Sequence, residues 1–236
     1  MGSFRRLKSS LRGVLADSRW RDRLAELEEL EPRKVLGPLF SLLLDKNETV
    51  PWRAVAGFRW VGSAMAAHRM ESARELMRMF MWRMNEESGN LGWGVPAAMA
   101  EAMAAETTLA REFHSILASY VQTAERQDGN FLDHAELRRD VYWGVGRLAQ
   151  TRPEFAGQHL DVLRQGLHEP DPVSRGFAAW ALGLLGDAQA LDRLDELVGD
   201  TADLAIFRHD AVEQTSGGRL AEEAAAAIRN RETDHA

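Results

Sequence analysis

No cysteine occurs in the 236 residues. That absence removes disulfide frameworks, thiolate nucleophiles, thiolate zinc sites and cysteine-held iron–sulfur clusters together, and it makes a reducing cytoplasm the expected location. Residues that favour sheets are scarce: isoleucine stands only at 116, 206 and 228 and tyrosine only at 120 and 142. Ala, Leu, Arg and Glu dominate instead, a composition that favours helices. No apolar run approaches the ~18 residues of a membrane span. The first residues carry no signal-peptide h-region, and Met1-Gly2 lacks the Ser or Thr four places later that myristoylation favours, so an unanchored chain with no membrane span is expected.

Catalytic signatures are missing as well. The histidines at 68, 114, 134, 159, 168, 209 and 235 never fall at His-x3-His or His-Glu-x-x-His spacing, so a metal site would have to be assembled across distant segments. No Gly-x-Ser-x-Gly elbow is present, and the glycines near residue 90 are not followed by the Lys-Ser/Thr of a phosphate loop. No catalytic residue, metal or cofactor is expected. Net charge is −7, which opposes a general affinity for nucleic acid or anionic lipid. Lysine is rare too, at 8, 34 and 46 only, against 26 arginines, as a GC-rich coding sequence also tends to produce. Residues 1–23 hold seven Arg/Lys and two Asp, a net of +5, which leaves −12 for the remainder. Over residues 3–16, Phe4, Leu7, Leu11, Val14 and Leu15 form one apolar stripe beneath Arg5, Arg6, Lys8 and Arg12, read as a first helix that buries that stripe.

What is present is helical punctuation at ordinary spacing. Pro51 near Thr49, Thr151-x-x-Glu154 around Pro153, Asp133-x-x-Glu136 and Asp171-Pro172 all read as helix starts, and together they divide the chain into about ten helices. Met70, Ala73, Met77, Phe80 and Met84 recur at three- and four-residue steps, with Arg74, Arg78 and Arg83 off the stripe. No comparable run alternates with period two, so essentially no sheet is expected.

Self-similarity says more. Leu91-Gly-Trp-Gly-Val-Pro96 aligns with Val141-Tyr-Trp-Gly-Val-Gly146, and Arg175-x4-Trp180-x2-Gly183 repeats the spacing of Arg138-x4-Trp143-x2-Gly146, with Trp60-x2-Ser63 a weaker copy. These tryptophans lie 33, 50 and 37 residues apart, around the ~40–47 of helix-pair repeats. The segment Asp171-Pro-Val-Ser-Arg-Gly-Phe-Ala-Ala-Trp-Ala-Leu-Gly-Leu-Leu-Gly-Asp187 resembles the second helix of a HEAT-like repeat, of the short variety found in bilin lyases and bacterial adaptor-like proteins. The resemblance is clearest over 134–200 and weakest before residue 90. It implies an all-α, α-α superhelix of antiparallel helix pairs, expected as one repeat domain over 1–236.

The same resemblance implies that second helices line the concave face, which makes Trp93, Trp143 and Trp180 candidates for a row on one surface. Two readings of that row follow. The indoles wedge repeats together, with Gly146 and Gly183 allowing close approach, or they form a binding surface with Arg139 and Arg147 beside Trp143. Two arginines next to a buried indole would be costly unless paired, so Trp143 is expected to be the most accessible of the three. A second candidate is the polar stretch 82–96, where Asn85, Glu86, Glu87 and Asn90 could contact a partner, or where Gly89 simply caps a helix. The function expected is a non-enzymatic interaction or scaffold module for a protein or peptide. The alternatives implied by HEAT-like repeats are a DNA-repair glycosylase using the tryptophans with Asp140 or Glu86, or a tetrapyrrole lyase or chaperone. Nucleic acid is not the ligand expected of so acidic a chain.

Overall fold

The computed structural model of the chain describes residues 2–24, 30–84, 92–122 and 130–234. Helices α1 (Gly2–Ala16) and α2 (Trp20–Arg23) precede five helix pairs. The pairs are α3 (Pro32–Leu42) with α4 (Val50–His68), α5 (Met70–Met84) with α6 (Val95–Ala105), and α7 (Thr107–Ser119) with α8 (Ala135–Thr151). The fourth joins α9 (Pro153–Ala156) and α10 (Leu160–Gly166) with α11 (Pro172–Leu185), and the fifth joins α12 (Leu191–Leu197) with α13 (Gly217–Asp234). The second helices α4, α6, α8, α11 and α13 pack against one another in succession and form an inner row. One apolar cluster extends from Leu11 to Ile228.

Local chemistry explains the boundaries. Asp171 caps α11 by accepting from the Ser174 amide at 2.8 Å, with Pro172 at the first turn, and Gly186 ends the helix in the left-handed region at φ 75°. These are the signals of a well-punctuated helix. Asn47 performs the corresponding task ahead of α4, accepting from the amides of Thr49 and Val50. The two expected capping boxes do not form. Thr151 ends α8 and donates to the Arg147 carbonyl, while the caps of α8 and α9 are His134 and Arg152 with no side-chain bond.

The N-terminal stripe is buried as a helix face should be: Leu11, Val14 and Leu15 are inaccessible, and only Phe4 stays exposed. The repeated Arg-x4-Trp spacing has a backbone purpose. Arg138 donates to the carbonyls of Leu132 and Asp133 and pairs with Glu169 of the next turn. Arg175 donates to Glu169 and Pro170 and pairs with Asp200 one turn further on. Each arginine thus satisfies otherwise bare carbonyls of its own turn and ties it to the next repeat.

The expectation of essentially no sheet meets one exception, a small hairpin between α12 and α13. Strands β1 (Asp203–Arg208) and β2 (Ala211–Ser216) pair antiparallel, from Asp203 with Ser216 to Arg208 with Ala211. Leu204 and Ile206 face inward from β1 at period two. The turn holds His209 and Asp210 at φ 53° and 60°, where glycine or asparagine would be usual. A hairpin whose turn lacks glycine leaves little trace in the sequence.

Candidate functional site

The site is where this hairpin meets the inner row. Six of the eleven residues of α6 are alanine, so α6 lies low between α4 and α8. Over it, Trp52 from α4 and Trp143 from α8 approach to 5.1 Å between ring centroids. Side chains from helices that are not neighbours therefore converge on one face. Trp180 from α11 stacks beside Trp143 at 6.5 Å. Phe207 at the end of β1 completes the cluster, stacked on Trp52 at 5.7 Å with an 8° interplanar angle. Its carbonyl accepts from the Trp143 indole nitrogen at 2.8 Å, the partner that a buried N–H requires.

One turn along the same helices lies a charged layer. Glu101, the lone charged residue of α6, is fully buried. Its carboxylate receives Arg59 of α4 at 2.8 and 3.1 Å and Arg147 of α8 at 3.0 Å. A carboxylate at that depth is tolerable only when both oxygens are engaged, and loss of one partner would cost roughly 3–5 kcal/mol. The hairpin turn adds Asp210, 2.8 Å from Arg21 of α2 and 3.7 Å from Arg59. Arg21 also donates to the His209 carbonyl. The hairpin of the last pair thus reaches back to the first helices. Beside its tip is a cleft of about 240 Å³ lined by Arg59, Glu101, Arg147, Gln150, Trp143 and residues 207–210.

Sequence-predicted residues fall unevenly about this site. Trp143 belongs to it but is 1% exposed, so its expected accessibility is overturned. The cost of burying arginines was avoided by pairing, because Arg139 bonds Asp171 at 2.9 and 2.6 Å and Arg147 bonds Glu101. Trp180 is buried at 7%. Trp93 lies outside the row: it precedes α6 and meets the His134 ring edge-on at 5.8 Å. The alignment of 91–96 with 141–146 therefore sets residues 92–96, a turn and the first residues of α6, against the middle of α8, and the two tryptophans have no common structural position. Asn85, Glu86, Glu87 and Asn90 lie outside the described residues. Asp140 accepts from the Gly94 amide at 2.9 Å at the start of α6, and burial pushes its pKa up to about 7.

Sequence reasoning missed Trp52, Arg59, Glu101, Phe207 and Asp210. Trp52 and Arg59 share a helix face at i, i+7, and a single Glu in an alanine-rich helix was a readable signal. A second buried polar pair joins the outer row, where His114 Nδ1 lies 2.8 Å from His159 Nε2 and Phe155 stacks on His114. Burial lowers both pKa values, that of His159 to about 4.

Comparison with known proteins agrees with this architecture. Residues 131–215 match the family model for HEAT repeats. An uncharacterized protein from Archaeoglobus fulgidus is 28% identical over 166 residues, covering 68% of this chain and 78% of that one. Among solved structures, an engineered protein matches with a TM-score of 0.51 at 14% identity over 94% of this chain and 96% of its own. A designed armadillo repeat protein matches with a TM-score of 0.51 at 17% identity over 94% and 92%. The fold is a HEAT/armadillo-like α-α superhelix. Among the described residues no helix is long and apolar enough to cross a membrane.

Proposed function

Taking the HEAT-repeat match and the superhelical fold as the premise, we propose that this chain is a non-enzymatic interaction module that grips a protein or peptide segment on the concave face of its inner helix row. One observation carries the reading. That face already holds a segment of the chain itself, the end of β1 and the turn after it, through stacking of Phe207 on Trp52, an indole N–H to the Phe207 carbonyl, and arginines on the Asp210 carboxylate. Stacking, main-chain bonds and arginine–carboxylate pairs are the contacts by which solenoids and grooves hold peptides. The acid layer supports binding over chemistry, since the carboxylate of Glu101 is spent on two arginines.

Peptide-display selection against the chain tests the proposal. Gln150 is exposed on the cleft wall, and Gln150→Trp would fill that cleft without touching the core. Selected ligands should bind this variant about tenfold more weakly, a loss of about 1.4 kcal/mol. Trp82→Ala, on an exposed side chain of the outer row, should leave them unchanged. Ligands insensitive to Gln150→Trp, or no enriched ligand at all, would refute the reading.

A further inference from the structure

Resting on that reading, we infer that the partner segment presents an aromatic ring and, three residues later, a carboxylate, and that the hairpin tip Phe207-Arg-His-Asp210 is a resident stand-in which such a segment displaces.

The chemistry of the partner follows from what the face lacks without the tip. Trp52 and Trp143, themselves in contact at 5.1 Å, then expose the indole surfaces that the Phe207 ring now covers, a seat for one ring beside both. Arg21, Arg59 and Arg147 are met by two carboxylates, Glu101 and Asp210. Removing Asp210 leaves three cations to one acid, a positive spot on a chain of net charge −7. An occupant must supply a flat apolar group and a negative charge, at the separation that Phe207 and Asp210 now define. The free indole N–H of Trp143 would fix the occupant's backbone through one carbonyl.

The tip is built to leave. His209 and Asp210 are consecutive non-glycine residues in the left-handed region, a backbone strain that persists only where surrounding contacts hold it. Among the described residues the sheet has two strands, a size that is marginal without packing. The clasps on Asp210 are solvent-accessible, Arg21 at 54% and Arg59 at 39% side-chain exposure, so water replaces them readily. The stem is fixed by contrast: Leu204 and Ile206 are buried, and Leu204 fills the space above Gly176 of α11. Release therefore pivots the tip and leaves the fold intact.

The test uses a fluorescein-labelled synthetic peptide with the sequence of residues 203–212, read by anisotropy against the full chain and two variants. Asp210→Arg places a third cation beside Arg21 and Arg59 and ejects the tip electrostatically; Phe207→Ala empties its aromatic seat. Either folded variant should bind the peptide about tenfold more tightly than the native chain, because the competent open state is no longer a minor population. Peptides with the phenylalanine changed to alanine, or the tip aspartate to asparagine, should lose about tenfold. If neither variant keeps a native circular dichroism spectrum, the intact chain titrated with the peptide gives the answer. A rise in peptide anisotropy that requires both peptide side chains supports the proposal, and a flat titration overturns it. Folded variants that bind no tighter than native, or binding indifferent to the peptide's Phe and Asp, also overturn it. Display-selected ligands that still depend on Gln150 would then leave the concave-face reading standing, and their absence would remove both.

Discussion

Trp143→Ala separates a packed indole from an exposed one. The side chain is 1% exposed and sits within 5.1–6.5 Å, centroid to centroid, of Trp52, Phe207 and Trp180. Truncating a core aromatic costs roughly 3–5 kcal/mol, and the Phe207 carbonyl would lose its indole donor, a further ~1 kcal/mol or more if water does not replace it. A loss of about 4–6 kcal/mol is expected, a large part of the ~5–15 kcal/mol that stabilises ordinary domains. Trp143→Phe keeps a ring but no N–H, and should cost about 1–2 kcal/mol. A double-mutant cycle with Phe207→Ala isolates the ring contact, since the backbone carbonyl survives that change; its coupling should be about 0.5–1.5 kcal/mol. Urea unfolding followed by far-ultraviolet circular dichroism measures all of these. A loss below about 1 kcal/mol for Trp143→Ala, as an indole at a solvated surface would give, would refute the packing described for α8 and the hairpin.

Three further outcomes are expected. Gly146→Ala should destabilise by about 1–3 kcal/mol in the same assay although alanine favours helices, because the new Cβ would lie 2.5 Å from the Trp180 ring; a gain in stability would show that α8 and α11 are not that close. The histidine pair makes stability pH-dependent. Burial holds His114 and His159 below the ordinary value near 6.5, His159 at about 4, so the unfolded chain binds protons first and stability falls as pH drops from 6.5 toward 4. His159→Gln should shed part of that loss, about 1–2 kcal/mol between pH 7 and pH 5 by urea midpoints, and parallel pH profiles for both proteins would refute the pairing. Asp140 acts with the opposite sign, for its folded value of about 7 lies above the ordinary 3.8 of an aspartate. Its ionisation costs the folded state more as pH rises through 7. Asp140→Asn can still accept from Gly94, and its stability advantage should be about 1–2 kcal/mol larger at pH 8 than at pH 5; an advantage that shrinks with rising pH would exclude a raised pKa there.

Local rules sufficed for most of the fold. The Asp171–Pro172 start, the Gly186 stop and the stripe of α1 are decided within one or two turns of chain, by capping bonds and by which face is apolar. The Arg-x4-Trp repeat was equally visible, because a repeated backbone task demands a repeated residue. Side-chain placement across repeats was another matter. Trp143 meets Trp52 from 91 positions earlier in the chain and a carbonyl 64 positions later. Arg147 meets Glu101 across 46.

The sequence by itself determined the helices, their pairing into repeats, and the absence of thiol chemistry, since each depends on residue type and short-range spacing. Only the tertiary structure decided that Trp143 is covered and its arginines neutralised. It alone decided that Trp93 stands outside the row, and that a hairpin from the last pair is seated on the face where a ligand was expected. The physical reason is that an indole or guanidinium is stable either in water or in a fully partnered interior. Which of the two it occupies depends on groups that curvature brings together from distant segments, and no local pattern encodes that encounter.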